Sequence, residues 1–571
     1  MRLTHVTHLR LPFGPLRSYQ VTVEPTGTRS PVSFDQARHV SAGNRPGSWM
    51  AMSMRLPAPV DRDRLAEAWR AVIERHGTLR TIFDHGPDGE LILLDTEVTG
   101  GEWTQHVARP GQSMRDLFRE VLDTHCVSFG RPSYLLCITE TAQRPTLVIA
   151  SDHSHVDMWS MLVLVRDLLA ELNGTELPAA TPPPFAEHTR LLRNREPAPE
   201  SIRQRWRDII DAGGGVMPRF PLPLGEPGHH PERVEVREVF TVDDIATFAA
   251  HARLLGVSTL ALTISLMAAV TRERVSTPLR ALFPVHSRFD REWHDSVGWF
   301  ITNSILEVNS SEPGDAADAV KEAIRLGAWP LEDVLAPWDG MPDTPGMFAV
   351  SWLDLRRLPV SIDDIGLEAQ YVSAAMRTDG VMVWFIIDDT GAHLRCRYPD
   401  TLEARENVGS WLDDLVGLMQ DTARRSAGSQ FSLGARKYRV QRAAREDLPA
   451  IIALLTPNPA PLHDYESAFH VMDINAANYL AVVRDEDDAI VGTMQLTIMP
   501  GLDDGGATRL NIANLAVTDA ALVSPMLTWA HVHGAARGTR AAQIITDAPE
   551  ITAHIRASGY SGPRIQLERT L

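Results

Sequence analysis

The sequence predicts an α/β protein made of more than one module, and three observations carry that expectation. The chain has 571 residues, several times the ~150 residues of a typical domain. Short apolar runs with a strand-like composition alternate with stretches whose apolar residues recur at helical spacing. Proline- and glycine-rich breaks interrupt these stretches at wide intervals. The composition is that of a chain able to bury large cores, with 44% hydrophobic and 22% charged residues.

Charge and cysteine usage narrow the classes further. Seventy-three acidic against 55 basic side chains give a net charge of −18, a field that repels nucleic acids and anionic membranes. Cys126, Cys137 and Cys396 are too few for a disulfide framework, which points to a reducing cytoplasm. The first residues lack the apolar core of a signal peptide, and the most apolar stretch, 260–270, is too short to span a bilayer.

Taken in order, the elements begin with a helix over 61–76, where Leu65, Ala68, Trp69, Val72, Ile73 and His76 share one face. Asp61 and Asp63 suit its start, and Gly77 suits its stop. Residues 146–150 (TLVIA) form a buried strand. The next stretch spaces Leu162, Val165, Leu169 and Leu172 for one helical face. A further helix over 258–275 precedes a strand near 279–285. The break at 177–185 (LPAATPPPF) reads as a crossing linker, 212–231 (AGGGVMPRFPLPLGEPGHHP) as a long surface loop, and 424–437 (RRSAGSQFSLGARK) as the linker to a final domain. His229 and His230 in the surface loop read as solvated. The resulting division is 1–180, 181–428 and 436–571.

Chemistry concentrates between the strand 146–150 and the helix that follows, in Ser151-Asp152-His153-Ser154-His155-Val156-Asp157-Met158-Trp159-Ser160. A histidine and an aspartate at a turn beyond a buried strand stand on rigid scaffold, and imidazole is the side chain suited to proton transfer near neutral pH. Two other readings stay open on these residues alone. His153 can be a hydrogen-bonded histidine at a strand end, and the alternation of His153, His155 and Asp157 can bring three metal ligands to one side of an extended chain.

These residues resemble the active-site signature HHxxxDG of the condensation-domain superfamily of nonribosomal peptide synthesis and its polyketide-associated, stand-alone acyltransferases. Four other segments resemble that family's motifs in the same order: Ser33-Phe34-Asp35-Gln36, the stretch from Arg75 to Phe83 (RHGTLRTIF), Phe283-Pro284-Val285-His286-Ser287-Arg288, and Val297-Gly298-Trp299-Phe300-Ile301-Thr302-Asn303. The resemblance covers about residues 30–425. It implies a pseudo-dimer of two chloramphenicol-acetyltransferase-like lobes with a tunnel between them. It further implies that His153 accepts or positions the proton of an attacking hydroxyl or amine, that Asp157 is structural and pairs with Arg288, and that Asp152, Met158, Trp159, Ser160, Trp299 and Asn303 line the tunnel.

The sequence departs from the family pattern at three places. Asp152 replaces the first histidine. Met158 replaces a glycine, and its Cβ is expected to exclude glycine-only backbone shapes and narrow the tunnel. Thr302-Asn303 reverses the family's Asn-Thr, which is expected to send the amide to the opposite face of a strand.

The final domain resembles a GCN5-related N-acetyltransferase. Its opening strand and helix lie at 438–448, its hairpin at 479–483 and 489–496, its central strand at 510–517, and its closing turn at 555–560. The glycine-rich loop that would hold a coenzyme A pyrophosphate is missing from 518–527, where Asp519 would repel a phosphate. The resemblance therefore implies a degenerate domain that binds no cofactor. For the whole chain it implies an acyltransferase of polyketide or nonribosomal peptide metabolism with no permanently bound cofactor and no metal. An acyl donor on a phosphopantetheine arm, from a carrier protein acting in trans or from coenzyme A, would meet a small alcohol or amine. The alternative is a noncatalytic carrier-binding or scaffold protein with two decayed acyltransferase folds.

Overall fold

Strand pairing organises the chain around three sheets in a computed structural model. It describes residues 2–561 apart from 179, 427–428, 435, 476, 501–507, 536–538 and 547. Parts of the two expected linkers, and residues 562–571 of the expected final domain, thus lie outside the described residues. The chain divides into two compact units, Met1–Glu238 with Leu260–Leu415 and Val239–Thr259 with Val416–Leu571. Among the described residues no helix is long and apolar enough to cross a membrane.

The first unit carries two mixed sheets. The eight-stranded one runs, edge to edge, Arg2–His5, Gln370–Ser373, Trp49–Arg55, Thr146–Asp152, Tyr134–Thr139, Leu16–Ser30, Leu91–His106 and Thr81–His85. Its strand Gln370–Ser373 comes from far along the chain and pairs antiparallel with Trp49–Arg55. The seven-stranded sheet runs Ile301–Val308, Leu279–His286, Phe348–Asp354, Val381–Asp388, Gly391–Pro399, His230–Phe240 and Arg377–Thr378.

Thr146–Asp152 is central to the first sheet. It pairs antiparallel on both sides, with Trp49–Arg55 and Tyr134–Thr139, and all seven of its residues are buried. The apolar run without alternation follows from this burial on both faces. The strand therefore holds the turn beyond it on the most constrained part of the sheet.

The helices around it differ from expectation in two respects. Arg62–Arg75 starts as expected, with the Asp61 carboxylate accepting from the amides of Asp63 and Arg64 at 3.0 and 3.1 Å. It does not stop on a left-handed glycine. His76 leaves the helix in an extended conformation, and its ring is held by Asp167 at 2.9 Å, so a tertiary contact ends the helix. Met158–Asn173 has no single apolar face; the unbroken run Trp159–Val165 is buried. A helix that is apolar all round lies inside a core, and this one belongs to the cluster that contains Trp69, Tyr134 and Tyr371. It ends on Gly174, whose φ of 66° is the left-handed cap that glycine favours.

Two of the expected surface segments are structured differently. The proline- and glycine-rich loop buries Met217 and Phe220, the latter edge-on to Phe348 and Trp411. In the second unit, the stretch expected to be a linker contributes Ser429–Leu433, a strand paired antiparallel with Arg436–Arg442. Gly434, at φ 63°, permits the turn between them. These two strands open a six-stranded sheet that continues through Asn478–Arg484, Ile490–Pro500, Thr508–Val517 and Ala541–Ile544. Helix Val242–Leu254 joins this unit, where Asp244 meets Arg442 at 3.3 Å.

Candidate active site

The turn after Thr146–Asp152 sorts its residues into those that face inward and those left accessible. Asp152 is fully buried. Its carboxylate accepts from Ser48 Oγ at 2.5 Å, Ser154 N at 2.9 Å, Ser128 Oγ at 3.1 Å and His39 Nε2 at 3.2 Å. Burial opposes its charge, yet the hydrogen bonds from His39, Ser154 and Ser48 hold it well below the usual carboxylate range. Asp152 thus spends its oxygens on the turn itself; it does not offer them to a tunnel.

His153 is only partly buried. Its amide donates to Ser48 O at 3.0 Å, and its ring stacks on Trp299 with centroids 4.1 Å apart and planes at 26°. Nδ1 is buried without a hydrogen-bond partner. Burial, helped by the nearby His39, lowers the ring's pKa from the ordinary histidine value, against its own carbonyl, Asp157 and Asp152. The ring is therefore a neutral imidazole near pH 7, the form in which it can accept a proton.

Asp157 is the N-cap of helix Met158–Asn173, its carboxylate accepting from Ser160 N at 2.7 Å. The same carboxylate takes Arg288 in a two-pronged pair, Nη1 to Oδ2 at 2.6 Å and Nη2 to Oδ1 at 3.1 Å. Phe300 N donates to it at 3.1 Å, and Ser160 Oγ lies 2.8 Å from Oδ1. Arg288 also reaches Ser160 Oγ at 2.8 Å and Ser296 O at 3.1 Å. Its guanidinium lies over Phe300 at 4.1 Å and Trp159 at 4.9 Å. Burial pushes the Asp157 carboxyl up, but the charge and hydrogen bonds of Arg288 and the bonds from Ser160 carry it below its ordinary value. This buried knot clamps the start of the helix to the chain around residues 288–300.

The three alternating residues do not converge on one point. His155 is buried between Thr81 Oγ1, 3.1 Å from Nε2, and Ser154 Oγ, 2.9 Å from Nδ1. Thr81 Oγ1 already donates to Thr78 O at 2.8 Å, so it accepts from Nε2. Burial takes the His155 pKa down to about 4. With His155 and Asp157 each saturated by other partners, the metal reading of this segment fails. Among the described residues no group of three histidine, cysteine or acidic side chains is placed to hold a metal.

The other expected lining residues divide in the same way. Ser160 is buried inside the Asp157–Arg288 knot and bridges to Gly298, receiving its amide at 3.0 Å, so it is a clamp and not a wall. Trp159 is nearly buried, with Nε1 donating to His294 O at 3.0 Å. Met158, Trp299 and Asn303 keep partial exposure. Met158 is the first residue of an ordinary helix and has no positive φ, so no glycine-only backbone was needed there. Thr302 and Asn303 are successive residues of Ile301–Val308, the edge strand of its sheet.

Asp35 and His39 were not singled out from the sequence as site residues. Both stand on helix Phe34–Val40, which Ser33 and Gln36 begin with a reciprocal capping box. Gln36 Nε2 also donates to Ser154 O at 2.8 Å, which fixes the helix against the turn. The His39 ring lies 5.1 Å from Trp299 and 6.2 Å from His153. Asp35 lies inside the first motif, Ser33-Phe34-Asp35-Gln36, and His39 lies three residues beyond it. Beside Trp299 opens a cavity of about 550 Å³, lined among others by Phe34, Asp35, Phe185, His188, Phe289 and Trp329.

Comparison with known proteins places this architecture. A family model described as "Condensation domain" matches residues 39–325, half of the chain. Acyltransferase PapA3 of Mycobacterium tuberculosis is 23% identical over 430 residues, 69% of this chain and 89% of PapA3. Nonribosomal peptide synthetase fso1 of Omphalotus olearius is 24% identical over 319 residues, 52% of this chain but 7% of the synthetase. The solved structure of PapA2 acyl transferase superposes with a TM-score of 0.65 at 18% identity, covering 74% of this chain and all of that one, which is a likeness of fold. The chain belongs to the condensation-domain family of acyltransferases.

Proposed function

We propose that the protein moves an acyl group from a phosphopantetheine thioester to a small hydroxyl or amine, with His153 as the proton acceptor. The observation that carries this reading is the state of His153. It is neutral near pH 7, partly accessible, and set on a central strand by a turn that Asp152 and the Asp157–Arg288 pair hold rigid. With Nδ1 buried, Nε2 is the nitrogen left to meet a substrate. As the acceptor oxygen or nitrogen forms its bond to the thioester carbonyl carbon, its proton passes to the imidazole. The carbon–sulfur bond then breaks, and the same proton leaves with the thiolate as thiol. Trp299, stacked on the ring, fixes its plane.

The donor on this reading is a carrier protein supplied in trans or coenzyme A, and the two sheets of the first unit are the lobes expected at 1–180 and 181–428. In the second unit, the succession of strand, helix, hairpin, strand and helix supports a GCN5-related N-acetyltransferase-like domain over about 436–571. Its Asp519 side chain accepts from Ala521 N at 2.9 Å, which places a carboxylate on an amide that a pyrophosphate would otherwise use. That domain is accordingly an appendage without coenzyme A. Incubating acyl-loaded carrier protein or acyl-coenzyme A with the enzyme and a panel of alcohols and amines, followed by intact mass, tests the assignment. Transfer that survives in His153→Ala would overturn it, and absence of transfer with every donor would favour the noncatalytic alternative.

A further inference from the structure

Asp35 and His188 line the cavity beside Trp299 together with Glu196, Glu332 and Asp333, and the transfer step assigns them no task. Asp35 presents a partly exposed carboxylate at its wall. Burial raises this carboxyl to about 6, against Thr302, Arg38 and Asn303. His188 is 5% exposed, and its Nε2 lies 3.2 Å from Ser287 O. A carbonyl only accepts, so Nε2 carries the proton and Nδ1 is a bare acceptor. That Nδ1 is buried and has no hydrogen-bond partner.

His188 Nδ1 therefore lacks a donor, and the Asp35 carboxylate, with Arg38 as a charged neighbour, offers acceptor oxygens. Phe34, Phe185, Phe289, Trp299 and Trp329 contribute rings to the wall, and ring faces favour cations as well as apolar bodies. The basic residues at the rim, Arg193 and Arg195, are exposed and already directed at backbone carbonyls of Val32 and Ala328, so solvent screens their charge. Trp299 belongs to both places, lining the cavity and stacking on His153. A ligand in the cavity is thus one indole ring from the base.

We propose that this cavity receives the acceptor substrate and selects one that carries an ammonium group, with Asp35 as its counter-ion and His188 Nδ1 as a second hydrogen-bond acceptor. The proposal rests on His153 being the base of the transfer reaction and adds the chemical class of the acceptor. An ammonium group brings only donors and a positive charge; an alcohol brings one donor and no charge, and a carboxylate is repelled by Asp35.

The test uses the full-length protein and two probes of matched shape, 2-phenylethylamine and 2-phenylethanol, with binding read by titration calorimetry or ligand-observed NMR at pH 7.5. The amine should bind about tenfold more tightly, the scale of one charge-assisted hydrogen bond. Asp35→Asn, isosteric with the native residue, should bring the two probes to parity while the melting temperature is retained. His153→Ala should keep the amine preference, so that loss of transfer in that variant and loss of selectivity in Asp35→Asn report on the two assignments separately. Equal affinities in the native protein, binding of neither probe, or an amine preference that survives Asp35→Asn would overturn the proposal.

Discussion

Replacing Asp157 by Ala should destabilise the first unit far more than any surface change. The carboxylate serves five donor contacts: two from Arg288, two from Ser160 and one from Phe300 N. Arg288 is 1% exposed, so its charge cannot turn to water once the partner is gone. An uncompensated buried charge of this kind costs about 3–5 kcal/mol. The lost helix cap accounts for about 1 kcal/mol of a truncation like this. The faces of Phe300 and Trp159 soften the loss without replacing it. Arg288→Ala should cost less, about 2–4 kcal/mol, because the carboxylate left behind keeps its bonds from Ser160 and Phe300. The double variant Asp157→Ala with Arg288→Ala should fall short of the sum of the two by about 2 kcal/mol or more. Urea unfolding followed by tryptophan fluorescence is the assay, since Trp159 lies against the Arg288 guanidinium. The folded-state pKa of Asp157 is depressed, so its contribution is present in full above the unfolded value of about 4 and is lost as pH falls below it. Single variants that each cost under about 1 kcal/mol, or an additive double variant, would refute the view that the pair is a buried, coupled unit.

The remaining expectations concern the base and its surroundings. His153→Ala should lower turnover by about 10²–10⁴ with unchanged melting, as for loss of one general acid–base group; near-native turnover would show that another group takes the proton. Because the His153 pKa lies below the ordinary histidine value, kcat/KM should stay flat down to about pH 6.5 and fall only on further acidification, and a limb beginning above pH 7 would contradict this. Burial takes His155 and His188 to about 4, so the unfolded chain binds protons at these sites that the folded one rejects. Stability should then decline as pH falls from about 6.5 toward 4, by up to about 3 kcal/mol per group. His155→Gln should flatten that decline, and an unchanged slope would exclude His155 as its source.

Much of the turn after Thr146–Asp152 was legible in the sequence because its signals are local. The apolar run before Asp152 marks a buried strand, whereas the role of Asp157 as the cap of the next helix came only with the structure. Motif order pointed to Arg288 as the partner of Asp157, although periodicity alone could not have joined residues 131 positions apart. Other expectations failed where local rules met long-range packing. Asp152 and Ser160, read as tunnel wall, turn their oxygens inward because Ser48, Ser128, His39 and Gly298 arrive from distant segments to receive them. Met158 raised a concern about glycine geometry that an ordinary helical first turn removes.

The sequence by itself determined the class of fold and the strand that carries the turn, and it singled out the histidine, aspartate and arginine of the candidate site. Tertiary structure alone decided which side chains are accessible there. Asp35 and His39 share a short helix far from residue 153 in the chain, and His188 and Trp299 come from two further segments. Their meeting depends on how the strands and helices of the first unit pack. Hydrophobic spacing states that each element has a face to bury, but the force it reports is non-directional. Which distant element covers that face is settled by packing of shapes and by pairing of buried polar groups. For that reason the cavity, the Asp35 carboxylate at its wall and the unpartnered His188 nitrogen emerge only when the chain is folded.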